Sequence, residues 1–311
     1  MSARRGTTDL CGILVVDKPA GMTSHDVVNR VRRASGERRI GHAGTLDPMA
    51  TGVLVVLVGP AARLAPYLTA AEKSYVARIV FGAQTDTDDA DGCIIATAPV
   101  PDEVGDPFFA AGTVASLVGV HEQIPPAYSA IKRNGQIAYE VARKGESLDL
   151  PARTIEVTHA QLVGVELAPP AWDVEFVVSK GTYIRALARD LGLAMDTVAH
   201  LGALRRTRSG ALSIEHAVSL DDMNEPADVA ALFADPITAL GLPVAHVGAG
   251  LAAPVSNGVQ LESPQLGDTP DGLVVVEHDG VLLAIYDRCG ASARAVAVIP
   301  GGVARGSQWQ R

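Results

Sequence analysis

The run GVLVVLVG, residues 52–59, has no polar side chain. A strand with one wetted face alternates apolar with polar residues, so a continuous apolar run of this length reads as a strand buried in a core. The stretch before it is opposite in character. RRIGHAGTLDPMAT, residues 38–51, is polar and glycine-rich and holds a single carboxylate, Asp47, between Leu46 and Pro48. Gly41, Gly44 and Gly52 free the backbone for a tight path, while Pro48 pushes Asp47 towards an extended conformation. Spacing alone leaves two readings open, an Asx turn that feeds the strand or a carboxylate presented for chemistry. One carboxylate has few uses. Glycosidases of the usual kind need two, no second acid lies nearby, and His42 stands without the cluster of ligands a metal would want.

Along the rest of the chain short strands alternate with helices. GILVVDKPAGMTS reads as a strand and a turn, and Ser24 with Asp26 suits the start of a helix that carries Val27, Val28 and Val31 on one side. SYVARIVFG alternates as a half-exposed strand does. HEQIPPAYSAIKRNGQIAYEVARKGE has the character of an insertion, with a short helix at AYEVARKG. TIEVTHAQLVGVEL and WDVEFVVS are strands, and TYIRALARDLG is a helix that Gly192 is expected to stop. Strands outnumber helices and flank them on both sides, which favours an α+β fold with a largely antiparallel central sheet over a doubly wound one. The run NEPADVAALFADPITALGLPVAHVG marks a boundary, dividing the chain into a domain over residues 1–240 and a smaller β-rich module over 241–311. In that module an Asp-Gly pair within GLVVVEHDGVLLAIYD signals a hairpin, and RAVAVIPGG supplies another strand.

No stretch approaches the roughly 18 uninterrupted apolar residues of a membrane helix. The apolar start is cut short by Asp17 and Lys18 with no cleavage site after it, so a cytoplasmic protein without a membrane is expected. Cys11, Cys93 and Cys289 have no C-x-x-C spacing, and each reads as a small core residue. The formal net charge of -9 argues against a nucleic-acid partner until it is divided along the chain. Residues 1–211 hold 22 Lys and Arg against 23 Asp and Glu, and residues 212–311 hold 4 against 12. The bases of the first part are bunched in NRVRRASGERR, IKRNG, ARKG, SKGTYIRALAR and LRRTR. Each bunch is either a solvated face or a phosphate contact.

The acidic segment TDTDDADG, residues 85–92, fails the EF-hand register, since Gly92 at the sixth position puts Thr87 first and Ala98 twelfth. It reads as a solvated loop that caps its neighbours rather than a metal site. Neither G-x-x-x-x-G-K-[ST] nor G-x-G-x-x-G is present. Tyr75 shares a strand face with Ala77, Ile79 and Phe81 and reads as a core aromatic. Arg185 and Arg189 share a helix face, with an exposed surface or a pairing of Arg185 with Asp47 as the two readings.

GHAGTLDPMATGVLVVLVG closely resembles the catalytic motif of the bacterial tRNA pseudouridine synthase B family. GILVVDKPAGMTSHDVV, KSYVARIVFGAQTDTDDADG, QIPPAYSAIKRNGQIAYEVARKGE, VSKGTYIRALARDLG and AHLGALRRTRSG resemble that family's other segments in the same order, across about residues 10–212. The resemblance implies the pseudouridine synthase fold, with residues 241–311 as a PUA-like RNA-binding module. It implies isomerisation of uridine to pseudouridine at position 55 in the tRNA T-loop, with Asp47 as nucleophile or as base on a glycal route. Tyr75 is implied as the residue stacking on the base, Arg185 as the partner of the aspartate, Tyr183 and Leu204 as pocket wall, and His42 as the residue entering the T-loop stack. The segment of about 123–151 is implied as a clamp on the T-stem loop.

Lys18, Lys132, Arg143, Lys180 and Arg205 are expected to touch RNA. The reaction has no redox change, so no cofactor and no metal are expected. The expected partner is tRNA, bound by a monomer with no obligatory protein partner. Two rival readings are a non-catalytic tRNA-binding or folding chaperone that keeps the site as a relic, and the guide-dependent synthase of a ribonucleoprotein. The second would carry long basic tails, and GGVARGSQWQR is short.

Overall fold

The computed structural model describes residues 8–306, apart from 134 and 147. Residues 1–7 of the segment read for a signal peptide, residues 134 and 147 of the expected clamp and the end of the tail at 307–311 lie outside the described residues. The chain forms two compact units, Met1–Ala71 with Arg208–Arg311, and Glu72–Thr207.

The first unit opens with β1 (Gly12–Lys18), α1 (Ser24–Ser35), β2 (Ile40–His42), β3 (Thr51–Val58) and α2 (Ala65–Ala70). The apolar run is β3, and Gly52–Val58 are all buried. β1 lies antiparallel to it from Gly12↔Val58 to Lys18↔Gly52, and β2 pairs with it antiparallel as well. Helix α1 buries Val27, Val28 and Val31 as their spacing requires. Its cap is Thr23 rather than Ser24: the Thr23 hydroxyl accepts from the Asp26 N–H and the Asp26 carboxylate accepts from the Thr23 N–H. Ser24 is thereby the first helical residue, with its side chain turned inwards.

The second unit contains β4 (Lys73–Phe81), β5 (Ala83–Thr85), β6 (Ile94–Thr97), α3 (Pro107–Ala115), β7 (Gly119–Gln123), β8 (Lys132–Arg133), β9 (Gln136–Ile137), α4 (Ala138–Ala142), β10 (Arg153–Leu167), β11 (Pro170–Val178), α5 (Ile184–Ala194) and β12 (Ala199–Ser209). Its main sheet runs in the order β12-β4-β11-β10-β7, and β4 with β11, β11 with β10 and β10 with β7 are antiparallel. On β4 every second residue from Lys73 to Phe81 is buried, the period of a strand with one face in a core. Trp172 is fully buried there, edge-on to Phe81 with ring centroids 4.8 Å apart, and its indole N–H donates to the Val104 carbonyl. β8, β9 and α4 make up part of the expected clamp segment.

The chain then returns to the first unit with β13 (Leu212–Ser213), α6 (Pro226–Ala231), α7 (Pro236–Leu240), β14 (Val244–His246), α8 (Ala249–Ser256), β15 (Leu261–Glu262), β16 (Gly272–His278), β17 (Val281–Cys289) and β18 (Ser292–Ala304). The last five strands form a sheet in the order β14-β16-β17-β18-β15. The Asp-Gly hairpin is present between β16 and β17, with His278 opposite Val281 and both turn residues at positive φ, Asp279 at 48° and Gly280 at 78°. Val275, Leu282, Ile285 and Val303 share one apolar cluster with Ile13, Val53, Val55 and Leu64. Residues on both sides of the expected division at 240 share this cluster, while Ala245, Val255, Val274 and Tyr286 belong to a second cluster drawn from 241–311 alone.

Two local expectations fail for identifiable reasons. Gly192 does not stop α5, which continues to Ala194. It is needed instead for close packing, because a Cβ there would sit 2.5 Å from the Ala199 nitrogen. Of the cysteines only Cys11 is even half-buried, and there burial pushes its thiol pKa up. Cys93 and Cys289 are exposed, one ahead of the largely exposed β6 and the other at the end of a hairpin strand. Gly192→Ala is expected to destabilise the protein by about 1–3 kcal/mol through overpacking, read as a lower urea midpoint at unchanged slope.

Candidate active site

Asp47 lies on the loop between β2 and β3, half-buried, and its carbonyl accepts from the Ala50 N–H at 3.1 Å in a turn that has Pro48 at its second position. The residues on either side are held firmly. The hydroxyl of the buried Ser24 donates to the Leu46 carbonyl at 3.1 Å and accepts from the Leu46 N–H at 2.9 Å. The Pro48 carbonyl accepts from the Lys18 ammonium at 3.1 Å and from the Gly21 N–H at 2.9 Å. Lys18 has no exposed surface, and its ammonium also donates to the carbonyls of Pro19 and Met22. This corrects the expectation that Lys18 touches RNA. It is an internal strut, and burying its charge is tolerable because each of the three protons of an ammonium finds a carbonyl. His42 ends β2 opposite Val56 of β3 and is half-buried.

In the second unit Tyr75 lies on the buried face of β4, 9 % exposed and opposite Phe176 of β11. Leu204 is buried on β12, the strand beside β4. Tyr183 is the residue that precedes α5, and the Gln123 side chain brackets its backbone, accepting from its N–H at 2.9 Å and donating to its carbonyl at 3.1 Å. The Arg153 guanidinium stands 5.6 Å from the centroid of the Tyr183 ring. Gln123 was missing from the expected site residues, and its position at the end of an edge strand gives no sequence signal for this role.

Arg185 is 4 % exposed, which removes the reading of an exposed helix face. It is ion-paired with Asp89 at 3.5 Å and donates to the carbonyls of Thr87 and Tyr128. One turn further along α5, Arg189 is ion-paired with Asp88 at 3.1 Å and donates to the Ile124 carbonyl. The acidic segment is accordingly not a solvated loop. Asp88 and Asp89 are buried, and two successive carboxylates receive the two arginines of one helix face. Desolvation pushes the Asp88 carboxyl above its ordinary value, outweighing the pull of Arg189. Adjacent aspartates upstream and arginines spaced i, i+4 downstream were the available signal.

The other expected RNA contacts differ in exposure. Lys132, Arg143 and Lys180 are exposed, and the Arg143 guanidinium lies 5.5 Å from the centroid of the Tyr139 ring. Arg205 is half-buried, and its neighbour Arg206, which counted as part of a surface cluster, is 1 % exposed. Lys73 is buried too, and desolvation together with the like charges of Arg206 and Lys180 pushes its pKa down to about 8. Among the described residues no group of three or more His, Cys, Asp or Glu is placed to hold a metal ion. No helix among them is long and apolar enough to cross a membrane.

Comparison with known proteins gives a consistent picture. The family model described as TruB family pseudouridylate synthase (N terminal domain) matches residues 32–184, and that of the tRNA pseudouridylate synthase B C-terminal domain matches residues 185–233. The tRNA pseudouridine synthase B of Thermobifida fusca is 46% identical over 296 residues, covering 93% of this chain and 99% of that one. Its counterpart in Mycobacterium tuberculosis is 43% identical over 291 residues, covering 93% and 95%. Among solved structures, a Cbf5-Nop10-Gar1 complex has a chain that superposes with a TM-score of 0.67 at 26% identity, covering 92% of this chain and 83% of that one. An H/ACA RNP bound to a substrate RNA containing 2'-deoxyuridine has one with a TM-score of 0.65 at 22% identity, covering 93% and 84%. The fold is the α+β pseudouridine synthase fold with a β-rich C-terminal part.

The Lys73 shift predicts a pH dependence of stability. Between about 8 and 10.5 the unfolded chain still holds a proton that the folded chain has released, so stability rises with pH across that window. The rise is of the order of 3 kcal/mol at most. Urea unfolding at several pH values is expected to show it in the wild type and to lose it in Lys73→Met.

Proposed function

The chain belongs to the TruB family of pseudouridylate synthases, isomerases acting on uridine in tRNA, and on that premise we propose that its target is uridine 55 of the T-loop, with Asp47 as the reacting carboxylate. The observation that carries the reading is the situation of Asp47. A half-buried carboxylate sits on a turn within the family-matched segment, between two residues whose peptide groups are tied to α1 and the end of β1.

The proposed reaction breaks the bond from ribose C1′ to uracil N1 and makes one from C1′ to C5. N1 gains a hydrogen and C5 loses one, so the product is an isomer and the balance calls for no oxidant, reductant or cofactor. One carboxylate can serve either by attacking C1′ or by removing the 2′ proton on a glycal route. The uridine has to leave its stack, which costs least from a loop. Tyr75 then offers the base a ring face and Leu204 an aliphatic one, with Tyr183 completing the wall and His42 entering the T-loop stack. Arg185, steadied by Asp89 and two carbonyls, is the cation proposed to keep Asp47 ionised. The exposed Lys132, Arg143 and Lys180, with Arg205, are proposed to follow the phosphates, the segment of about 123–151 to clamp the T-stem loop, and residues 241–311 to act as a PUA-like RNA-binding module. The proposed enzyme acts as a monomer in the cytoplasm, without a protein partner.

Tritium release from tRNA labelled at uracil C5 tests the activity, since that hydrogen departs when C1′ joins C5. The wild type is expected to release tritium, and Asp47→Asn to reduce the rate by more than about 1,000-fold while tRNA affinity changes less than about twofold. No release from the wild type would leave the binding-only chaperone reading in place of the enzyme. For the proposed phosphate contacts, Arg143→Ala and Lys180→Ala are each expected to weaken tRNA binding and to reduce the slope of log affinity against log salt by about 0.7–0.9. Unchanged slopes in both variants would remove these residues from the RNA interface.

A further inference from the structure

We propose that Ser24 is a positioning residue for Asp47, acting through the backbone of Leu46; this rests on the reading of Asp47 as the reacting carboxylate. The argument begins with which peptide groups the bonds fix. The Leu46 N–H belongs to the peptide linking Thr45 to Leu46, and the Leu46 carbonyl to the one linking Leu46 to Asp47. The Ser24 hydroxyl holds both, at 2.9 and 3.1 Å. The second of these planes sets the direction in which the chain enters the Cα of Asp47.

On the far side of Asp47, the Pro48 carbonyl is tied to Lys18 and Gly21. Asp47 therefore lies between two anchored carbonyls, with its own carbonyl taken by Ala50. The backbone that carries the carboxylate is thus held on both sides.

Ser24 is suited to this task by its place on α1. The Thr23 and Asp26 capping box settles the helix start one residue before it, so the Ser24 hydroxyl is not used as a cap. Ser24 and Leu46 are each 3 % exposed, so water has little access to either bond. A hydroxyl can donate and accept at once, which lets one small side chain grip both polar groups of a single residue. Alanine would leave a buried N–H and a buried carbonyl without this partner, and the loop would re-aim to find others. A displacement of about 1 Å at a reacting group can cost on the order of 100-fold in rate.

The test measures single-turnover tritium release, tRNA binding and thermal unfolding for the full chain. Ser24→Ala is expected to slow release by about 10- to 100-fold with tRNA affinity within about twofold of wild type, and Ser24→Thr, which keeps the hydroxyl, to recover most of the rate. A Ser24→Ala rate within twofold of wild type overturns the proposal. So does a rate loss matched by an equal loss of tRNA affinity, or a Ser24→Thr enzyme as slow as Ser24→Ala. If Ser24→Ala does not fold, Ser24→Cys gives the same comparison, because a thiol is a weak donor and acceptor in nearly the same place. Asp47→Asn run in parallel separates the two readings. Normal release from Asp47→Asn overturns the role of Asp47 itself, whereas an inactive Asp47→Asn beside a fully active Ser24→Ala overturns only the role of Ser24.

Discussion

A polar loop abutting a wholly apolar strand is a difficult junction, and the first unit is organised around it. β3 is buried from Gly52 to Val58, so the loop that feeds it enters the core's edge with peptide groups that water cannot fully serve. A buried amide or carbonyl left unpaired costs about 1–3 kcal/mol. The Ser24 hydroxyl and the Lys18 ammonium meet that demand from the start of α1 and the end of β1. The same bonds that make the junction stable also orient the residue between them. The bonds that satisfy the loop and those that set the backbone direction at Asp47 are thus the same.

In the second unit an ionic arrangement does the fixing. Arg185 and Arg189 reach back to Asp89 and Asp88 and to three backbone carbonyls, tying the first two turns of α5 to the segment after β5 and to residues 124 and 128. Such pairs are poor sources of net stability, because desolvation consumes much of the attraction. At Asp88 burial raises the carboxyl pKa in spite of the adjacent Arg189 guanidinium, in keeping with that penalty. What the arrangement supplies is definition. Two forked cations with several fixed acceptors each admit few placements of α5, and the backbone of Tyr183 just before it is held by Gln123 as well.

How far the sequence could be read depended on whether the deciding partner was local. Period-two burial on β4, the apolar run of β3 and the Asp279-Gly280 hairpin all follow from neighbours in the chain, and all are present. The position of Asp47 on a turn before a buried strand was legible for the same reason. Charged residues were misjudged where their partners were remote. Lys18 meets Pro48 across 30 residues, and Arg189 meets Asp88 across 101, so with only its own segment in view Lys18 reads as an RNA contact and Arg189 as part of an exposed helix face. Arg206 lies on the same face of β12 as the buried Leu204, but LRRTR reads as a basic cluster until the segment is placed as a strand. Gly192 reads as a helix stop in the sequence, because the close approach of Ala199 that requires it exists only after folding.

The proposed reaction makes unequal demands on its site, and the two kinds of residue assigned to it differ accordingly. The ribose carbon has to meet a carboxylate in a narrow range of positions, while the uracil has to detach, turn and present C5 where N1 had been. A group that acts on the sugar needs directional restraint, and Asp47 has it on both sides through hydrogen-bonded peptides. A wall that lets the base turn is better made of surfaces without directional bonds. A tyrosine ring face and a leucine side chain attract a planar base by dispersion and apolar contact, which vary little as the ring rotates in its own plane. The hydrogen bonds that would hold uracil in one orientation would oppose the step that converts it. On this reasoning rigidity is placed at the carboxylate and tolerance at the base, and exchanging the two would favour binding uridine over isomerising it.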